Sequence, residues 1–246
     1  MKKIYLNFFR FLLGIFLLVI LFNKIGFGDI FRNLLRTNIY QFLIIFLVPI
    51  LSIILGTVNI DVLLRFLKFR IKFSNLLRIY SLSWAFGLFF PGRLGELSII
   101  PLLKNKGLDY GKGATVSLID KGITFVVLAV FTIFAIFIYL PKNQAINILI
   151  ILSILTISLT VLFVTKRGRN LIKKLTPRSI TEKFYGFSTT LSLFIREGKI
   201  YLFINLVLTI IKQVILALIV YLTFLAFGIN FSFIGTLLVI STVTII

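Results

Sequence analysis

Cysteine and histidine are both absent from the 246 residues. That excludes disulfides, thiolate nucleophiles, imidazole bases and the usual zinc ligand sets. Acidic residues are scarce as well: seven Asp and Glu stand against 27 Lys and Arg, a net charge of +20. The seven are scattered, so no carboxylate cluster offers a metal site and no cofactor is implied. No nucleotide-binding motif is present, and no period of about 20 to 50 residues repeats. What remains is apolar. Hydrophobic residues make up 59% of the chain, 28 of them Phe, and the mean hydropathy is +1.12. A soluble domain has an apolar share of about 45 to 50%, so this is the composition of an integral membrane protein. The basic residues lie in short blocks between apolar runs, where anionic lipid headgroups and membrane orientation explain them better than nucleic acid does.

Met1-Lys2-Lys3 followed by apolar residues from Ile4 has the look of a signal peptide. Phe22-Asn23-Lys24 stands where a small-residue cleavage site would fall, so residues 4–22 read as a retained first span with Arg10 snorkelling. Residues 24–38 suit a short helix on the membrane surface, or equally a connecting loop. Residues 39–60 form a second span with Pro49 as its kink, and Arg65, Lys68, Arg70, Lys72 and Arg78 follow. A third span from about Thr115 to Leu140 carries Asp120 and Lys121 in its first turns. The chain turns at Pro141-Lys142-Asn143 and returns over 144–165. The basic, amphipathic link 166–199 is expected as a helix on the cytoplasmic membrane surface, too short to be a catalytic domain. A long span from Ile200 to Phe227 has Lys212 near its centre, and a last apolar run ends at Ile246.

One stretch breaks the pattern. In residues 84 to 104 a membrane-grade apolar run is interrupted by Pro91, Gly92, Arg93, Gly95 and Glu96. Proline removes a backbone donor and glycine releases the helical restraint, so a helix should stop near Phe90 and restart after Pro91. Broken backbone is tolerated in hydrocarbon only where protein or a water-filled cavity satisfies it, and a charge there costs about 2.5 to 3.5 kcal/mol. If the broken segment enters and leaves on one side, 19 Lys and Arg fall on the cytoplasmic side and 4 on the other; if it spans, the split is 15 against 8. The positive-inside rule therefore favours a re-entrant hairpin open to the cytoplasm, with the N-terminus and the 166–199 link inside. The expected fold is an all-α polytopic membrane protein: one domain over 1–246, with about six transmembrane segments plus a broken-helix hairpin around Pro91–Glu96.

Arg93 and Glu96 are three apart and share a helix face. With the free N–H groups of a restarted half-helix, Arg93 makes a site for a lipid phosphate, and Glu96 balances Arg93 or carries a proton. Alternatively, the two charges neutralise each other and only pin a structural break. Asp120 and Lys121 point about 100° apart: one reaches the broken segment, or the two are an interfacial pair at a helix start. Lys212, about twelve residues from either end of its span, needs a partner such as Glu96 or Asp120, unless its span begins later and brings it near a surface. Gln213 and Trp84 are weaker pointers.

Pro91-Gly92-Arg93-Leu94-Gly95-Glu96-Leu97, then Pro101-Leu102-Leu103-Lys104 and Ala114 to Lys121 before a long apolar span, resembles the flippase-like family of the lysylphosphatidylglycerol synthase transmembrane domain. The likeness is strongest over 84–125, and the order of spans agrees on either side. It implies a role in moving aminoacylated or glycosylated lipids between leaflets, carried by Arg93 and Glu96, with Asp120 and Lys121 at the family's acidic-basic pair. The chain departs from that pattern in three places. Ser98-Ile99-Ile100 stand where the family often has an arginine, and Thr124 where it often has an aspartate. No second broken segment follows in the C-terminal half, so a fragment or a reduced member is expected. The expected function is transbilayer movement of phosphate-bearing lipids in the cell membrane. A lipid-modifying enzyme or a second copy is the expected protein partner. The rival expectation is a membrane-embedded lipid-modifying transferase, with Glu96 or Asp120 as general base, or its scaffold subunit.

Overall fold

The computed structural model of the chain describes residues 39–89, 91–139 and 185–245 and a few single positions outside them. Among the described residues there are seven α-helices, one 3-10 helix and no strand. The helices are α1 (Ile39–Phe66), α2 (Phe73–Phe89), α3 (Ile99–Lys104), α4 (Tyr110–Tyr139), α5 (Phe187–Glu197), α6 (Lys199–Ala226) and α7 (Phe233–Ile245), and the 3-10 helix, Pro91–Ser98, lies between α2 and α3. Leu43–Phe66, Tyr110–Tyr139 and Lys199–Ala226 have 24, 30 and 28 residues and hydropathies of 2.4 to 2.6. At about 1.5 Å per residue each covers the roughly 30 Å of a bilayer core. Three of the expected spans are thus present as helices long and apolar enough to cross. The last apolar run forms α7, a 13-residue helix. The expected spans 4–22 and 144–165, the 24–38 segment and residues 166–184 of the link lie outside the described residues.

The helix ends follow from local chemistry. At the end of α1, Lys68 adopts a left-handed conformation (φ 55°), its N–H donates to the Arg65 carbonyl, and the Phe69 N–H donates to the Leu64 carbonyl. This Schellman closure satisfies the last carbonyls and turns the chain into α2. Gly107 (φ 97°) ends α3 in the same way and Gly228 (φ 72°) ends α6, positions where glycine avoids a Cβ clash. Two boundaries differ from those expected. α1 runs on to Phe66, so Arg65 stands in its last turn and pairs with Asp61 at 2.7 Å. α4 begins five residues earlier than expected, at Tyr110, with the Gly113 N–H bonded to the Asp109 carbonyl.

α1 packs chiefly along α6, and α7 lies against both α4 and α6. The tightest core sits where the basic loops gather: Leu63 and Leu64 of α1, Leu76 of α2, Leu103 of α3, Val116 of α4 and Phe194 of α5 are all fully buried. Phe194 packs on Phe66 with ring centroids 4.4 Å apart and ring planes tilted by 44°, so the end of the 166–199 link plugs into this core. At the other ends of α1 and α4, Phe46, Leu47, Phe134, Phe137 and Ile138 are exposed, an apolar surface suited to lipid.

α2 and the 3-10 helix lie against each other at two glycines. A Cβ on Gly95 would collide with the Phe86 carbonyl oxygen, and one on Gly87 would stand 2.6 Å from Glu96 Cγ. Gly95 therefore serves contact between backbones as well as the break itself. Gly95→Ala should lower stability in detergent micelles by about 1 to 3 kcal/mol, the usual cost of overpacking. Gly122→Ala, where a Cβ meets nothing within 4 Å, should be neutral or slightly stabilising. Thermal unfolding followed by size exclusion checks this; equal midpoints for the two variants would refute the close approach.

Candidate functional site

Six elements, α1, α2, the 3-10 helix, α4, α6 and α7, converge on a polar interior. Beyond Phe89 the chain continues at Pro91 as a 3-10 helix of eight residues, twice the usual three or four. The helix thus stops and restarts where expected, but the restart is 3-10, and α-helix resumes only at Ile99. Pro91, Gly92 and Arg93 open the 3-10 helix, and their side chains lie outside the described ones. Glu96 is 6% exposed. Its backbone carbonyl accepts a hydrogen bond from Ser83 Oγ of α2, and its carboxylate pairs with the Lys121 ammonium of α4. Glu96 thus ties α2, the 3-10 helix and α4 at one point.

Asp120 is 1% exposed. Because α4 begins at Tyr110, Asp120 sits about 15 Å along the helix, in its third turn and not in its first turns as expected. Its Oδ2 lies 3.4 Å from Lys121 Nζ, and its Oδ1 accepts a 3.5 Å hydrogen bond from Asn205 Nδ2 of α6. Asn205 Nδ2 also reaches the Asn59 carbonyl of α1 at 3.3 Å, and Asn59 Nδ2 donates to Thr209 Oγ1 at 2.9 Å. One turn further along α6, Gln213 Nε2 donates to Ser241 Oγ of α7 at 3.1 Å. Asn59, Asn205, Thr209 and Ser241 were not singled out from the sequence. Their signal was there on α6, where Asn205, Thr209, Lys212 and Gln213 recur at helical spacing inside an apolar run.

These groups border a partly open cavity of about 310 Å³, at the lower end of the range for small-molecule sites, about 300 to 1,000 Å³. Glu96, Lys121 and Lys212 bring charge to its wall, Thr124 and Gln213 neutral polarity, and Tyr80, Trp84, Phe125, Leu128 and Leu216 apolar surface. Leu118 and Phe125 also line it while remaining exposed on the outside of α4. Asp120 lines an adjoining crevice of about 10 Å³ behind Lys121. Lys212 is buried near the middle of α6, which begins at Lys199 and not later. Its charge acts on Asp120 through space. No group of three metal-ligating side chains occurs among the described residues.

Long apolar helices that enclose paired charges and interhelical amide hydrogen bonds define a helical membrane protein. The chain belongs to the family described as the lysylphosphatidylglycerol synthase TM region, whose model matches residues 7–246, and this links it to lipid handling. No curated protein and no solved structure matches the chain.

The Glu96–Lys121 pair should be measurable as a coupling. In a double-mutant cycle of Glu96→Gln and Lys121→Met, unfolding in micelles should give an interaction energy of about 1 to 3 kcal/mol. The value stays below the 3 to 5 kcal/mol (approximate) for breaking a fully buried pair, because the Lys121 side chain is 31% exposed. Additive single effects would show the pair to be energetically idle.

Proposed function

We propose that the chain moves phosphate-bearing lipids, including aminoacylated or glycosylated ones, between the leaflets of the cell membrane. The observation that supports this is the cavity: two lysines and a glutamate on an apolar wall among membrane-length helices, with Leu118 and Phe125 at a lipid-facing rim. A headgroup phosphate finds cations there while its acyl chains stay against apolar side chains. Arg93 is assigned to the phosphate, and Glu96 to any proton coupling. With no nucleotide-binding motif in the sequence, the driving force is the membrane potential, a proton gradient or the lipid's own gradient. A lipid-modifying enzyme that supplies the lipid is the implied partner.

The proposed topology places α2, the 3-10 helix and α3 in a re-entrant hairpin that opens to the cytoplasm, with the N-terminus and the 166–199 link on that side. Two features support it: α2 has only 17 residues, and the 3-10 helix packs back on it. The chain has no cysteine, so introduced thiols report cleanly. In oriented vesicles, Arg70→Cys and Lys106→Cys should both react with an impermeant maleimide from the same side. Labelling from opposite sides would refute the hairpin.

Transport itself is tested in liposomes that hold fluorescent anionic and aminoacylated phospholipids. Wild type should accelerate exchange of at least one class, and Arg93→Ala and Glu96→Gln should slow it about tenfold or more, a barrier change of about 1.4 kcal/mol. No exchange by monodisperse wild type would sink autonomous transport. Loss of product formation in both variants would favour the transferase.

A further inference from the structure

The charges around the cavity are unevenly arranged. Glu96 and Lys121 are paired, and Asp120, 3.4 Å from Lys121, lines a small adjoining crevice that shares Glu96 and Lys121 with the cavity. Lys212 is 8% exposed and lines the larger cavity from α6. Among the described residues it makes no ion pair and no hydrogen bond, and Asp120, whose charge it senses, is not part of the larger cavity's wall. A lysine at mid-span of a 28-residue apolar helix cannot snorkel to an interface and needs a counter-charge. Its neighbour Gln213 is held by Ser241, which fixes this stretch of α6 against α7, and Trp84 and Leu216 complete the apolar wall.

We infer that Lys212 is a second anion position, the one that receives a phosphate mono- or diester inside the cavity, while the Glu96–Lys121 pair stays intact beside it. The assignment rests on the lipid-transport reading for its source of ligand but makes a separate claim about binding. The bound phosphate supplies the contact counter-charge that no carboxylate among the described residues makes with Lys212. The apolar wall selects an ester with hydrocarbon attached over free phosphate.

Trp84 is the sole tryptophan of the chain and lines this cavity, so its emission, excited beyond the tyrosine band, reports on the site alone. The full chain in maltoside micelles, which contain no phosphate, is titrated with short-chain phosphatidylglycerol, glycerol phosphate, inorganic phosphate and diacylglycerol. Wild type should give a saturable change with phosphatidylglycerol and none with diacylglycerol. Lys212→Met should weaken that binding by about ten- to a hundredfold, the range for a charge-assisted contact, and Lys212→Arg should restore it to within a few-fold. An equal, Lys212-dependent response to glycerol phosphate or inorganic phosphate would identify the ligand as a free anion and keep Lys212 as its site. Unchanged phosphatidylglycerol binding in Lys212→Met would overturn the inference, as would a wild type that responds to no phosphate-bearing probe. Retention of a monodisperse peak by the arginine variant separates loss of binding from loss of folding. Lys212-dependent binding without lipid exchange in liposomes would refute the transport reading alone, and exchange that Lys212→Met leaves unaltered would refute this inference alone.

Discussion

A charge buried away from water must find an opposite charge, and the Glu96–Lys121 pair is where the interior of this chain meets that demand. Each charge alone would cost about 2.5 to 3.5 kcal/mol at the centre of a span. The pair can exist only if the stretch that bears Glu96 stands against α4. That stretch is a 3-10 helix, with poorer hydrogen-bond geometry than an α-helix, and its placement relies on contacts outside itself. Ser83 holds the Glu96 carbonyl, Lys121 holds the carboxylate, and the backbones meet at Gly95 without a Cβ between them. The Pro-Gly break and the charges are therefore parts of one device: the break delivers Glu96, and Glu96 anchors the break.

The same demand, in weaker form, shapes the rest of the interior. Lipid tails are as apolar as leucine, so apolar contact alone drives little helix association, and interhelical hydrogen bonds of about 0.6 kcal/mol each and close approach at small residues take its place. The chain uses both. Asn59, Asn205 and Thr209 join α1 to α6, Asn205 joins α6 to Asp120 of α4, and Gln213 with Ser241 joins α6 to α7. Gly56 leaves no room for a Cβ beside Tyr80 of α2, nor Gly111 beside the Tyr185 carbonyl that precedes α5. α6 thus carries a polar seam through a helix that is otherwise nearly all hydrophobic.

The parts of the fold set by composition and length were legible in the sequence. The three long apolar helices appear where unbroken runs predict them, and the family relation was readable from Pro91 to Leu97 and from Ala114 to Lys121. The misses have physical causes. Hydropathy does not see helix caps, so the Lys68 and Gly107 closures and the early start of α4 at Tyr110 were invisible to it. That early start moves Asp120 from the second turn of α4 to the third. Proline marks where an α-helix stops but does not dictate the conformation beyond it, and here the chain winds through eight residues of 3-10 helix. The asparagines were passed over because each is one polar residue in an apolar run, and their meaning emerges only when the α6 positions are read together as a face.

Cavity electrostatics connect this architecture to the proposed transport. The four charges Glu96, Lys121, Asp120 and Lys212 sum to zero, but among the described residues the cavity wall carries Lys121, Lys212 and Glu96, one positive charge in excess. An anion entering there meets the two lysines at closer range than Asp120, whose carboxylate lies beyond Lys121. That carboxylate also limits the attraction, since the field of Asp120 reaches Lys212. A carrier needs this balance: binding must be favourable enough to draw a headgroup out of the interface and weak enough to release it on the other side.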